Sequence, residues 1–201
     1  PTPPGFALYR TQVGRNTLQL GRPDGTFAEA AWFAGLAATE WSWTPMFLDV
    51  DLDGYEDLLV TAGHGRDDMD TDHGMALEAA RRSRRLPPAE QLALRRGTPP
   101  MLSPRQAYRN VGGERFEEVG KEWGFGEEGV SHGMAAGDLD GDGDLDVVVN
   151  ELNGAAGVYR NQASAGRVAV RLKGAGKNTR GIGARVTLRG GAVKGQSQEM
   201  M

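Results

Sequence analysis

The feature that most constrains this chain is an aspartate-rich pattern that occurs twice at a constant offset. Asp-x-Asp-x-Asp-Gly-x-x-Asp spans residues 49–57, the first loop, and residues 138–146, the second loop. The two copies are 89 residues apart, and the match runs without a gap over residues 27–60 and 116–149. A duplication of this kind predicts a repeat protein in which each copy builds the same supersecondary unit.

Short apolar runs flank both loops. Residues 46–48 and 134–136 precede the loops, and residues 58–60 and 147–149 follow them. Runs this short, bounded by Gly and Asp, favour buried strands over helices. We therefore expect each loop to join two strands, the second of them buried on both faces.

Two further strands complete the unit. A Tyr-Arg dipeptide recurs in the segments at residues 8–10, 107–109 and 158–160, which predict the third strand. Residues 116–119 predict a fourth strand. Four strands with a turn at each junction are typical of a propeller blade. Gly is abundant, at 30 of 201 residues, which also favours a loop-rich β protein. The predicted fold is therefore all-β, with β-propeller blades that form a fragment of a larger propeller.

A helical insertion interrupts the repeat at residues 67–104. Residues 75–80 and 89–94 are rich in helix formers, and the Pro87-Pro88 pair between them ends one helix and can start the next. We predict a helical hairpin between the second and third strands of a blade, as decoration or as a contact surface. The cluster of arginines that it carries is expected on a solvated helix face, and comprises Arg81, Arg82, Arg84 and Arg85.

These patterns divide the chain into four segments. Residues 1–66 hold a partial blade and the first two strands of the next, and residues 67–104 hold the insertion. Residues 105–163 hold the second repeat, and residues 164–201 form a C-terminal segment.

The loops predict calcium binding. Ca²⁺ takes six to eight oxygen ligands at about 2.3–2.6 Å, and alternate aspartates deliver three carboxylates from one turn. The glycine permits a tight turn that directs the next backbone carbonyl inward, and the ninth residue closes the shell. Two Ca²⁺ ions are the expected cofactors. Their predicted ligands are Asp49, Asp51, Asp53, the Tyr55 carbonyl and Asp57, and then Asp138, Asp140, Asp142, the Asp144 carbonyl and Asp146.

An EF-hand, a magnesium site and a chance acidic turn each fit the loops less well. An EF-hand needs a bidentate Glu at position 12 between helices, where this chain has Val60 and Val149 in strand-like runs. Mg²⁺ prefers fewer protein ligands and more retained waters. A chance acidic turn would have to place five specified residues twice in matching contexts.

Several segments resemble the FG-GAP/VCBS repeats of integrin α-subunit propellers and their bacterial relatives. They are residues 63–65, 108–119 and 137–150. In that family the aspartate loop joins the first two strands of a blade and binds Ca²⁺. The resemblance implies a Ca²⁺-binding propeller with an adhesion or binding role.

The C-terminal part resembles a narrower family. Residues 170–174 and 178–186, with Gly-Ile-Gly-Ala-Arg-Val at the centre, are similar to the start of the ASPIC/UnbV segment of the cartilage acidic protein family. The resemblance covers nearly the whole chain apart from the insertion. Two and a fraction blades cannot close a ring and leave strand edges open, so we expect further blades from a longer chain or from additional copies.

Catalytic motifs are sparse. The chain has no Gly-x-Ser-x-Gly, His-Glu-x-x-His or phosphate-loop motif and no cysteine nucleophile. We expect no enzyme activity but a calcium-dependent scaffold or adhesion module that binds a protein or polysaccharide. The alternative is a propeller lyase or hydrolase on polysaccharide, with a carboxylate acid/base and tryptophan platforms. The tryptophans more often fill a propeller core, and are Trp32, Trp41, Trp43 and Trp123.

The histidines have simple interpretations. His132 occupies the repeat position of Trp43, which favours packing over catalysis. His64 precedes the acidic stretch at residues 67–72, for which a solvated loop is favoured over a further metal cluster.

Partners and location follow from charge and from calcium. The net charge of −4 and the lack of aromatics among the arginines disfavour nucleic acid. No apolar stretch approaches the roughly 18 residues of a membrane span, so membrane insertion is not expected. Extracellular-type sites bind Ca²⁺ at about 10⁻⁴–10⁻³ M, far above cytosolic levels. We therefore expect an extracellular, periplasmic or cell-surface protein whose signal peptide is not in this chain.

Overall fold

The computed structural model describes residues 14–83, 86–190 and 193–200. This part of the chain is mostly β, with antiparallel pairing throughout and a small helical content. The first Tyr-Arg segment at residues 8–10, together with Arg84 and Arg85, lies outside the described residues. The strands are β1 (Gln19–Gly21), β2 (Phe27–Glu29), β3 (Ser42–Leu48), β4 (Asp57–Ala62), β5 (Ser103–Pro104), β6 (Gln106–Asn110), β7 (Phe116–Glu118), β8 (Glu128–Gly129), β9 (Ser131–Gly137), β10 (Asp146–Glu151), β11 (Gly157–Tyr159), β12 (Arg185–Arg189) and β13 (Gly195–Glu199). The helices are α1 (Ala31–Ala34), α2 (Thr71–Ser83) and α3 (Pro88–Arg96).

The predicted four-strand unit is present as the sheet β3-β4-β6-β7. Leu59 at its centre pairs with Met46 of β3 on one side and with Ala107 of β6 on the other. The first loop joins β3 to β4, and the insertion separates β4 from β6. This order confirms the strands predicted around the first loop and on its Tyr-Arg segment.

Strand β4 is buried along its whole length, as predicted. Leu58 and Val60 face a cluster that includes Leu36, and Leu59 faces a second cluster with Val149 of β10. Successive strand residues point to opposite faces, so one short run serves two apolar clusters. Each fully buried leucine contributes about 2 kcal/mol of hydrophobic free energy.

The second repeat forms the sheet β9-β10-β11, with the second loop joining β9 to β10. Within the described chain no fourth strand pairs with β11, and Val148 in the middle of β10 is only half-buried. Strand β9 lies against the first sheet. The hydroxyls of Thr44 and Thr61 both donate to the carbonyl of His132, each at 2.7 Å.

The insertion holds two helices, α2 and α3, between the second and third strands of the first sheet, and their pairing as a hairpin stays a prediction. Its base is closed by reciprocal backbone hydrogen bonds of 2.9 Å between His64 and Met101. Helices α2 and α3 have no buried residues, and Arg81 and Arg82 are exposed. None of the described helices is long and apolar enough to cross a membrane.

The remaining strands form small separate sheets. Strand β1 pairs with β2, β5 with β8, and β12 with β13. The described strands do not close into a barrel. The coarse prediction of a β protein with a helical insertion is therefore confirmed, whereas the arrangement of its sheets as propeller blades stays a prediction.

Candidate metal centres

Both aspartate loops occupy the same place in their sheets. Leu48 pairs with Asp57 at the mouth of the first loop, and Gly137 pairs with Asp146 at the mouth of the second. Each loop thus begins and ends on a paired antiparallel strand, which fixes its span.

The aspartate at the ninth position of the first loop, Asp57, accepts hydrogen bonds from two backbone N–H groups. Asp57 is fully buried, and its two oxygens accept backbone N–H groups from Val50 at 2.9 Å and from Asn110 at 2.8 Å. One bond ties down the start of the loop, and the other ties it to the end of β6. Burial raises the pKa of Asp57 to about 6 despite these bonds.

The second loop repeats this arrangement. Buried Asp146 accepts the N–H groups of Leu139 and Asn161, both at 2.8 Å. Asn161 follows Tyr159-Arg160 as Asn110 follows Tyr108-Arg109. In each repeat, the backbone N–H of this recurring Asn donates to the aspartate at the ninth loop position. The repeat pattern contains this Asn, but spacing alone does not reveal its partner.

The first aspartate of each loop shapes the tight turn. Asp49 Oδ2 accepts the N–H of Gly54 at 3.0 Å, and Asp138 Oδ2 accepts that of Gly143 at 3.1 Å. The two glycines have φ of +97° and +94°, in the left-handed region that side chains resist. The glycine predicted for the turn is therefore required by its backbone angle.

Three carboxylates converge in each loop. One oxygen from each of Asp49, Asp51 and Asp53 lies within 4.8 Å of the others, and Asp138, Asp140 and Asp146 form the matching group. Oxygens on opposite sides of one Ca²⁺ are about 4.6–5.2 Å apart, so both groups suit a shared ion.

Not every predicted ligand belongs to these groups. Asp57 lies outside the first group and Asp142 outside the second. Tyr55 and Asp144 contribute N–H groups to the turn, which donate to Asp53 at 2.8 Å and to Asp142 at 3.1 Å. The ligand role of their carbonyls stays a prediction.

Buried carboxylate oxygens in both loops lack hydrogen bonds. Among the described residues, Asp49 Oδ1 and both side-chain oxygens of Asp144 are buried without a donor. Burial raises the pKa of both carboxyls, and the neighbouring Asp142 adds to the rise at Asp144. Buried polar atoms are nearly always satisfied, so unpaired oxygens inside an acidic loop fit a cation ligand.

The arginine of the neighbouring Tyr-Arg segment forms an ion pair with an aspartate of each loop. Arg109 Nε is 3.2 Å from Asp51, and Arg160 Nε is 2.6 Å from Asp140. Both arginines precede the recurring Asn, and both aspartates hold the third loop position. These guanidinium groups offset part of the carboxylate repulsion, a role that the dipeptide pattern alone did not reveal.

Two of the three histidines, His64 and His132, pack against tryptophan rings. The ring of Trp43 lies 4.4 Å from that of His132 and 5.9 Å from that of His64, and Trp41 lies 4.8 Å from His64. The packing role expected of His132 is confirmed. Trp43 Nε1 also donates to the carbonyl of Gly63 at 2.5 Å.

The acidic stretch at residues 67–72 shapes the start of α2. Asp70 accepts the N–H of His73 at 2.9 Å, and Asp67 accepts that of Met69 at 3.0 Å. Such bonds satisfy helix-terminal donors. Within the described ranges, this stretch does not form a group suited to a metal.

The tryptophans differ in environment. Trp123 packs against the cluster around Leu59, as expected for a core residue. The expectation of a core role is wrong for Trp43, which is 44% exposed, and for Trp32, which is 76% exposed. Its helix α1 buries only the alanines at its two ends, and the bulky side chains between them face outward.

Comparison with known families bears directly on these loops. Residues 103–149 match the family model of an FG-GAP-like repeat. The matched stretch contains the second loop, strand β9 before it, the first four residues of β10 after it and the Tyr-Arg strand β6. None of the curated proteins compared with the chain matches it. The FG-GAP resemblance is thus supported for this stretch, and the ASPIC/UnbV resemblance of residues 164–201 stays a prediction.

Proposed function

We propose that this chain is a non-catalytic Ca²⁺-binding module of FG-GAP repeats with a structural, adhesion or ligand-binding role. The observation that carries the proposal is the pair of matched loops, each with three converging carboxylates and with buried oxygens that accept no hydrogen bond. A cation supplies the missing partner for these oxygens and neutralises their repulsion.

The residues present fit Ca²⁺ in both loops. Asp49, Asp51 and Asp53 would hold the ion of the first loop, with Asp57 fixing the backbone behind them. The second loop would use Asp138, Asp140, Asp142 and Asp146, with the carbonyl of the seventh residue in each loop as a further oxygen. Bound Ca²⁺ would supply charge neutralisation and a rigid link between two strands.

The two larger sheets are proposed to be neighbouring propeller blades. Their support is the packing of β9 against the first sheet and the apolar cluster shared by Leu59 and Val149. Within the described chain, strand β11 pairs with β10 alone, whereas its counterpart β6 pairs with both β4 and β7. Further blades from a longer chain or from other copies would complete the ring.

The proposed partner is a protein or a polysaccharide, and the proposed location is extracellular, periplasmic or at the cell surface. If the two loops bind Ca²⁺ in the extracellular range of about 10⁻⁴–10⁻³ M, they fill only where Ca²⁺ is that plentiful, which is the basis for this location.

Calorimetric titration of Ca²⁺ into the EGTA-treated protein tests the proposal. We expect two bound ions in the native protein and one in either Asp51→Asn or Asp140→Asn, because each substitution removes one converging carboxylate. Glu56→Gln is the matched control, since this exposed carboxylate lies in the first loop outside the group. A native protein that binds no Ca²⁺, or a Glu56→Gln effect equal to that of Asp51→Asn, would overturn the proposal.

A further inference from the structure

The second loop carries a carboxylate that the first loop lacks. Its seventh residue is Asp144, where the first loop has Tyr55. The Asp144 side chain is fully buried, and neither of its oxygens accepts a hydrogen bond among the described residues. An ionised carboxylate in this position requires a positive charge nearby.

That charge comes from the C-terminal segment. Arg167 places Nη1 3.6 Å from Asp144 Oδ2 and Nη2 3.6 Å from Asp142 Oδ1. Its guanidinium also donates to the carbonyl of Asp142 and, at 2.9 Å, to that of Ala163. Arg167 therefore faces two loop carboxylates without forming a side-chain hydrogen bond to either.

The first loop has no such arginine in the described structure. Its arginine Arg109 corresponds to Arg160 of the second loop, which leaves Arg167 without a counterpart. Over the turn glycine Gly54 lie Val193 and Gln196, both neutral, whereas Arg167 lies over Gly143. The C-terminal segment thus covers both loops, and the ion pairs that it forms with loop carboxylates among the described residues involve the second loop.

We propose that Arg167 competes with Ca²⁺ for the second loop, so that Ca²⁺ binding there displaces Arg167 and releases residues 163–174. This inference rests on the proposed function. A divalent cation among these carboxylates would repel the guanidinium and take over Asp142 and Asp144 as partners. The first loop, whose Arg109 corresponds to Arg160, fills without this additional cation and holds its strands together, while the second couples Ca²⁺ to the position of the C-terminal segment.

The test uses a protein in which only the second loop binds. In an Asp51→Asn background, calorimetry measures the Ca²⁺ affinity of Arg167→Ala, with Arg171→Ala as control because Arg171 is exposed on the same segment. We expect Arg167→Ala to tighten binding about fivefold, the scale of a partly exposed ion pair. We expect Arg171→Ala to leave the affinity within about twofold of its parent, because it removes no loop contact.

Two further variants and a proteolysis experiment test the competition between Arg167 and Ca²⁺ independently. Arg167→Gln keeps a polar side chain without the charge and should match Arg167→Ala, and an Asp144→Asn background should shrink the Arg167→Ala effect. In the native protein, Ca²⁺ should speed tryptic cleavage after Arg167 several-fold, since that bond becomes accessible.

The outcomes distinguish a failure of the Arg167 competition from a failure of the proposed Ca²⁺ binding. If Arg167→Ala, Arg167→Gln and Arg171→Ala bind Ca²⁺ equally, the competition is overturned and the proposed function stands. If the Asp51→Asn parent binds no Ca²⁺, the proposed function fails for the second loop and this inference fails with it.

Discussion

Asp146→Ala separates the structural role of a loop aspartate from its role toward calcium. Asp146 holds the N–H groups of Leu139 and Asn161 at 2.8 Å each while buried. Removing the carboxylate leaves both donors without an acceptor, at roughly 1–3 kcal/mol each. We therefore expect Asp146→Ala to lower the free energy of unfolding by about 3 kcal/mol in EGTA.

Asp140→Ala is the comparison within the same loop. Asp140 accepts one long bond of 3.3 Å from the N–H of Asp142 and pairs with the exposed Arg160. Its loss should cost less than about 1 kcal/mol without metal. Urea unfolding in EGTA measures the cost of each substitution. The same measurement with Ca²⁺ should show that both variants lose the part of the Ca²⁺ stabilisation that comes from the second loop. Equal costs of Asp146→Ala and Asp140→Ala in EGTA would refute the structural role of Asp146.

Two further predictions concern buried charge. In EGTA, Asp57 should make the native protein less stable as pH rises from about 4 to 6, because its folded-state pKa of about 6 lies above the unfolded value and the folded state binds the proton more tightly. Unfolding at several pH values should therefore show a smaller loss of stability over this range in Asp57→Asn than in the native protein, in which Asp49 and Asp144 also contribute. Arg105→Ala should cost about 2–3 kcal/mol, because this buried guanidinium pairs with the largely buried Glu151, which would lose its cation, whereas Glu127 is 73% exposed and keeps the Tyr159 hydroxyl. Arg115→Ala, which removes only a contact over one aromatic ring, should cost less than about 1 kcal/mol, and similar losses in the two variants would contradict this account.

The local sequence pattern was enough to predict the strands around the loops and the helical insertion. The run at residues 58–60 predicted a doubly buried strand, because an apolar triplet between Gly and Asp has few other uses. The Pro87-Pro88 pair likewise placed the break between α2 and α3. Both predictions depend on interactions within a few residues, which the order of amino acids records directly.

Contacts between distant segments escaped prediction. Arg105 meets Glu151 across 46 positions, and Arg167 meets Asp142 across 25. Neither arginine belongs to a pattern that names its partner. Asp57 shows a subtler limit: Asp57 and Asp146 each accept two backbone N–H groups, but only Asp146 belongs to a group of converging carboxylates. Spacing identifies a loop, but tertiary structure decides which of its carboxylate oxygens converge.

The central claim is that calcium holds these loops together, and thermal unfolding tests it most directly. The native protein is melted in EGTA and again with Ca²⁺ at about 100 times its dissociation constant. Binding at one site then adds about 2.7 kcal/mol, which corresponds to a rise in Tm of about 5–10 °C for a domain of this size. A rise of that size or more is the predicted result, and identical melting curves in Ca²⁺ and EGTA would contradict the account.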